Sequence, residues 1–138
     1  MKKAKIVNLF LVFITIISTL FLFNQPVAAA DKKVASDSVM KKIKQTKELV
    51  VGTSADYPPL EFTTSVNGNT KYVGVDIELA KDIAKDLHAK LVIKNMSFDS
   101  LLVALETGKV DMVISAMTPN PERKKSVDFS QIYYKPSG

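Results

Sequence analysis

The stretch Ser115-Ala116-Met117-Thr118-Pro119-Asn120-Pro121-Glu122-Arg123 follows the apolar run Met112, Val113 and Ile114. A buried strand is expected to end there. A helix then starts with Asn120 as N-cap and Pro121 at the first helical position, where a missing N–H costs nothing. Free backbone N–H groups at such a start form an anion site, and Arg123 stands one turn in. Arg123 is the only arginine among 19 basic residues, the other 18 being lysines. Where lysine is the default cation, a lone arginine suggests a task needing a flat, permanently charged, two-pronged donor, hence a carboxylate or phosphate partner. Spacing alone leaves open a solvated short helix.

Outward from this stretch, β-branched runs alternate with helical periodicity. Leu49, Val50 and Val51 end at Gly52 and read as a first strand. Leu91, Val92 and Ile93 read as a second strand, and residues 110–115 as a third. Between the first two, Asp76 caps a helix to about Leu87, with Ile77, Ala80, Ile83, Ala84 and Leu87 on one face and Glu78, Lys81, Asp82 and Lys85 on the other. Its closing turn carries His88 in a place that favours a left-handed residue. A shorter helix bearing Leu101, Leu102 and Leu105 follows Phe98 and ends at Gly108. Asn67-Gly68 suits a hairpin turn with positive φ. Tyr57-Pro58-Pro59 cannot continue a central strand, so Tyr57 is expected on a stiff loop facing a cleft.

Strands apolar on both faces and separated by helices imply an α/β fold with a parallel sheet and flanking helices. Ligands of such sheets bind beyond the carboxyl ends of the strands. Three loops, at residues 54–59, 95–98 and 115–121, follow those ends.

Composition narrows the class. Lys2, Lys3 and Lys5, the apolar residues 9–23, a break at Asn24-Gln25-Pro26 and then Ala28-Ala29-Ala30 read as a signal peptide cleaved near Ala30, with a retained membrane anchor as the competing reading. All 14 acidic residues and 16 of the basic ones lie beyond Ala30, so the exported part carries only about +2. Its lysines are interspersed with acids, which argues against nucleic acid as a partner. Residues 31–48 read as a polar lead-in helix, solvated except for Val39, Met40 and Ile43 on one face. With no cysteine, a disulfide framework, a thiol nucleophile and a lipidated cysteine are all excluded.

Three blocks in order carry a resemblance: Gly52-Thr-Ser-Ala-Asp-Tyr-Pro-Pro-Leu-Glu-Phe62, Tyr72-Val-Gly-Val-Asp-Ile-Glu-Leu-Ala-Lys-Asp-Ile-Ala84, and residues 118–134 from Thr-Pro-Asn-Pro-Glu-Arg to Tyr-Tyr. They are similar to the polar amino acid binding proteins that serve ATP-driven importers, family 3 of the bacterial extracellular solute-binding proteins. The resemblance implies part of lobe 1 of a two-lobe periplasmic-binding-protein-like fold over residues 49–138, acting outside the cytoplasm. It implies a small-molecule amino acid as ligand, a membrane permease of an ABC transporter as partner, and a monomeric, non-enzymatic protein without metal or cofactor.

The same resemblance assigns roles. Arg123 and Thr118 clamp the ligand's α-carboxylate, Ala116 offers its carbonyl to the ammonium at little cost for being alanine, and Tyr57 and Phe98 sandwich the aliphatic part. Ser115 adds a hydroxyl or is simply a strand end bonded to backbone. Ser54 matches the position where relatives that take basic amino acids often carry aspartate, so a neutral, glutamine-like ligand is expected over a basic one. Asp76, Asp99, Asp111 and Asp128 read as caps or turn residues. The resemblance also calls for a second lobe that nothing in these residues matches, so the chain reads as a fragment or truncation expected to bind weakly or not at all. Two further functions stay open. One is a sensor domain of a receptor. The other is a dehydratase-like enzyme, disfavoured by a single histidine and the lack of a close carboxylate pair.

Overall fold

The computed structural model describes the backbone of residues 28–135 and the side chains from residue 37 onward. The signal peptide expectation lies outside the described residues but for residues 28–30. Contacts divide the chain into two units, Met1–Ser38 and Val39–Gly138; the account below concerns the second.

β1 (Glu48–Thr53) is the middle strand of a three-stranded parallel sheet. β5 (Lys90–Asn95) pairs along one side from Glu48↔Lys90 to Thr53↔Asn95. β6 (Met112–Val113) pairs along the other at Val51↔Met112 and Gly52↔Val113. The third strand is shorter than expected, though Asp111 N–H to Val50 O (2.8 Å) and Ile114 N–H to Gly52 O (3.1 Å) extend its contact with β1.

The period-2 alternation of β1 sends its residues to two helical layers. Leu49 and Val51 join Ile114 and the buried face of α2 (Val75–Asp86), Ala80 and Ala84, in the core. On the other face Gly52 lies under α3 (Leu101–Glu106), where an added Cβ would stand 3.2 Å from Leu101 Cδ2. A 3₁₀ turn, Phe98–Ser100, leads into α3.

α1 (Ala28–Thr46) starts before the expected lead-in helix and ends sooner. The face marked by Val39, Met40 and Ile43 is the one that packs, so the helix is not solvated on all sides. Ile43 is buried in the core with Val39 and Met40 packed beside it, and Lys42 Nζ reaches Asp111 Oδ1 at 2.7 Å. Asp111 is no cap. Its other oxygen accepts Val50 N–H at 2.9 Å, so one carboxylate ties α1, β1 and the entry to β6 together. No helix among the described residues is long and apolar enough to cross a membrane.

A second, antiparallel sheet carries β2 (Asp56–Tyr57), β3 (Glu61–Val66) and β4 (Asn69–Val73). Val66 pairs with Asn69 around a two-residue loop whose φ values, 53° at Asn67 and 75° at Gly68, are both positive, as the Asn-Gly step demands. His88 has φ 51° at the end of α2, the left-handed residue anticipated there. α2 opens one residue before Asp76, with Gly74 at the cap and φ 124°. Asp76 is therefore not the N-cap; it lies in the first turn, fully buried.

Candidate functional site

The three loops beyond the sheet converge through their own hydrogen bonds. Met96 N–H donates to Thr53 O (3.0 Å), and Ala55 N–H donates to Asn95 Oδ1 (2.8 Å), joining the ends of β1 and β5. Ser54 N–H donates to Ser115 Oγ (2.9 Å), joining the ends of β1 and β6.

Ser54 and Ser115 are both buried, and their hydroxyls lie 2.8 Å apart. Ser115 Oγ also donates to Glu61 Oε1 at 3.0 Å. A hydroxyl has one hydrogen and two lone pairs, so once Ser115 gives its hydrogen to Glu61 it accepts from both the N–H and the hydroxyl of Ser54. Ser54, Ser115 and Glu61 thus form a directed chain ending on a carboxyl group.

Glu61 is 1% exposed and its Oε2 has no partner among the described residues. Burial is the main reason its pKa rises from 4.5 to about 7; the Ser115 hydrogen bond opposes this, and the nearby carboxylates of Asp76 and Asp56 add to it. The expectation of no close carboxylate pair is corrected here, since the Asp76 carboxylate lies near enough to Glu61 to raise its pKa.

Asp76 Oδ2 accepts Ala116 N–H at 2.8 Å, and the Tyr133 hydroxyl donates to both Asp76 oxygens at 3.0 Å. Burial and the Asp76 charge together push the Tyr133 phenol well above its ordinary range. Ala116 has φ 46°, in the left-handed region. Alanine there is not free of cost: a non-glycine residue in this region loses about 1–2 kcal/mol to Cβ crowding.

Arg123 lies at the start of α4 (Arg123–Ser126), half-buried. Its Nη1 donates to Thr118 O (2.8 Å), and its Cζ stands 5.3 Å from the centroid of the Phe98 ring, within cation–π range. These two contacts place the guanidinium beside the Thr118 carbonyl and the Phe98 ring. The expected helix-start anion site needs correction. α4 has only four residues, and Asn120 occupies two of its first N–H groups, taking Arg123 N–H on Oδ1 (2.8 Å) and Lys124 N–H on its carbonyl (3.1 Å). The cap position is held by Glu122, so Asn120 bonds this turn from outside the helix, and Pro121 lies outside it as well.

Tyr57, Ala116 and Thr118 line one cavity of about 420 Å³, with Pro58, Pro59, Leu60, Met117, Pro119 and residues 129–135 completing its wall. That volume falls in the range of small-molecule sites. Tyr57 belongs to β2, not to a loop, and is 60% exposed. Arg123 and Phe98 do not line this cavity; Arg123 meets its wall through Thr118, and Phe98 lies beside Arg123. Ser54 and Ser115 lie outside its lining as well. Sequence reasoning singled out neither Glu61 nor Tyr133, although both stood inside the quoted motifs.

Residues 49–138 match the bacterial extracellular solute-binding proteins, family 3. The chain belongs to that family. Among its relatives, the arginine-binding extracellular protein ArtP of Bacillus subtilis is 50% identical over 64% of this chain and 33% of its own length. The L-cystine-binding protein TcyJ of Escherichia coli is 33% identical over 74% of this chain and 37% of its own. A solved structure, the arginine-bound form of domain 1 from TmArgBP, is 49% identical with a TM-score of 0.62, over 67% of this chain and 71% of that one. The chain spans about a third of the length of these two curated relatives. Its fold is that of the periplasmic-binding-protein-like amino acid binders, a parallel sheet flanked by helices.

Proposed function

We propose that this chain is a first lobe that captures a cationic amino acid, arginine foremost, outside the cytoplasm for an ABC importer. The observation that carries the reading is Glu61 Oε2, a buried carboxylate oxygen without a partner among the described residues. Its neighbours in sequence and contact, Leu60 and Ser115, lead directly to the cavity wall and to Ala116. A buried acid of this kind is stabilised by a cation that supplies donors. An aspartate at Ser54 is then unnecessary, because the acid stands one hydrogen bond deeper, behind Ser115. The neutral, glutamine-like ligand expected from Ser54 gives way to a basic one. ArtP and the TmArgBP domain, both named for arginine, are nearer in sequence than the cystine binder, which supports that order.

In this reading the free N–H groups of Arg123 take the α-carboxylate beside Thr118, the Ala116 carbonyl takes the ammonium, and Tyr57 and Phe98 flank the aliphatic chain. The signal peptide is removed near Ala30, a membrane permease receives the ligand, and the protein works as a monomer. In this reading no catalysis is involved: Glu61 and Asp76 are buried at 1% and 0% exposure, and each accepts hydrogen bonds from the scaffold.

The expectation that a single lobe binds weakly or not at all is also set aside, since the TmArgBP domain 1 is an arginine-bound single domain. Arginine at 100 times Kd is expected to add about 2.7 kcal/mol of stability, a rise in Tm of roughly 10 °C, with glutamine adding little. Thermal shifts with both amino acids check this; glutamine outranking arginine overturns the basic-ligand reading. Arg123→Lys is expected to weaken arginine binding at least about tenfold, because a point charge cannot replace the fork. Calorimetry giving equal affinities would remove Arg123 from the clamp.

A further inference from the structure

We propose that Asp76 is a positioning residue of the ligand loop, its carboxylate holding Ala116 in the left-handed conformation that fixes the ligand-facing backbone of residues 116–118. The proposal rests on the amino acid reading above.

Ala116, at φ 46°, is the only residue of that loop with positive φ. Strained backbone of this kind persists only where its surroundings over-determine it. Here the surroundings centre on one buried carboxylate. Asp76 is fully buried, takes Ala116 N–H on Oδ2 at 2.8 Å, and accepts the one hydrogen of the Tyr133 hydroxyl, shared between both of its oxygens. A hydrogen bond to a carboxylate is roughly twice as strong as a neutral one, enough to offset the left-handed cost at Ala116.

The anchor of Asp76 is itself part of the cavity wall. Asp76 N–H donates to Leu60 O (2.9 Å), and the preceding Val75 N–H donates to Pro59 O (3.2 Å). The first turn of α2 therefore grips residues 59–60 with its backbone and residue 116 with its carboxylate. Pro59, Leu60, Ala116 and Tyr133 all face the same 420 Å³ cavity. One residue sets the spacing between two walls that approach the ligand from different elements. Its place in the chain looks like a helix cap, but its hydrogen bonds are to the ligand loop and to the segment after it.

Asp76→Asn leaves one acceptor oxygen for the two donors, Ala116 N–H and the Tyr133 hydroxyl. In the full 138-residue chain we expect this variant to lose at least about tenfold of the hydrogen-exchange protection at the Ala116 amide and to raise Kd for L-arginine at least about tenfold. Ala116→Gly added to it is expected to recover most of the affinity, since glycine adopts positive φ unaided. A residue that acts only through global stability gives no such rescue. If Asp76→Asn alone fails to fold, Asp76→Asn/Ala116→Gly measured against Ala116→Gly gives the same comparison. Unchanged Ala116 protection, or unchanged arginine affinity despite lost protection, overturns the proposal, as does an absence of rescue. A wild-type chain that takes up no arginine sinks the ligand reading instead; Ala116 protection then decides alone, its loss in Asp76→Asn supporting the positioning and its retention refuting it.

Discussion

The unfolding free energy of this chain is expected to fall by on the order of 3 kcal/mol as pH rises from about 4.5 to 7, and Glu61→Gln is expected to abolish that fall. The sign follows from which state holds the proton. Folding raises the Glu61 pKa from 4.5 to about 7, so between those values the folded chain keeps a proton that the unfolded chain has released. Stability therefore drops with rising pH across that window and levels off above it. Burial is the first cause, with the Asp76 and Asp56 charges behind it. Glutamine keeps an acceptor for Ser115, adds donors toward Asp76 and carries no charge. Above pH 7 the variant should therefore be more stable than the parent chain while binding arginine at least about tenfold more weakly. Arginine affinity of the parent chain should climb through pH 7, because a cation favours the ionised carboxylate. Urea titrations at a series of pH values, paired with calorimetry, test both halves. Parallel stability profiles for the two proteins would show that Glu61 is ionised throughout.

Gly74→Ala should cost more than about 4 kcal/mol, a large part of what holds a domain of this size together. A Cβ on Gly74 would stand 2.2 Å from Leu60 O, 2.6 Å from Leu60 C and 2.9 Å from Pro59 O, all of them backbone atoms with no rotamer to move. Its φ of 124° is a second, independent penalty for any L side chain. The cost reaches the site as well, because Leu60 O is the acceptor for Asp76 N–H, so relieving the overlap displaces the turn that carries Asp76. Denaturation midpoints measure it. A loss under about 1 kcal/mol would mean that residues 59–60 give way easily.

What the sequence made legible was whatever repeats locally. The runs at residues 49–51 and 91–93 announced parallel strands because they are apolar at every position, and the 3.6-residue spacing from Ile77 to Leu87 announced α2. The Asn67-Gly68 turn and left-handed His88 were legible for a steric reason that involves no distant residue. The carboxyl cluster was not. Glu61 alternates with Thr63 and Ser65 along β3, the pattern of a solvent-facing edge, and only the arrival of Ser115 and Asp76 from other elements buries it. Asp76 sits where helix caps sit, and nothing nearby signals that Gly74 takes that place. Asp111 likewise reads as a turn residue until Lys42 and Val50, both more than sixty residues earlier, close on it. Of the candidate ligand residues, those on the loops after β1, β5 and β6 could be grouped from topology alone. How Ser54 and Ser115 divide their hydrogen bonds depends on tertiary geometry.

The middle strand of the parallel sheet has a consequence in time. β1 is made first, yet its partners begin only at Lys90 and Met112. At a synthesis rate of about 5–20 residues per second, several seconds separate the appearance of Val51 from that of Met112. Until Lys90 appears β1 has no parallel partner, and its second flank waits for Met112. An order of assembly in which the centre waits for both flanks delays closure of the sheet until β6 has been made.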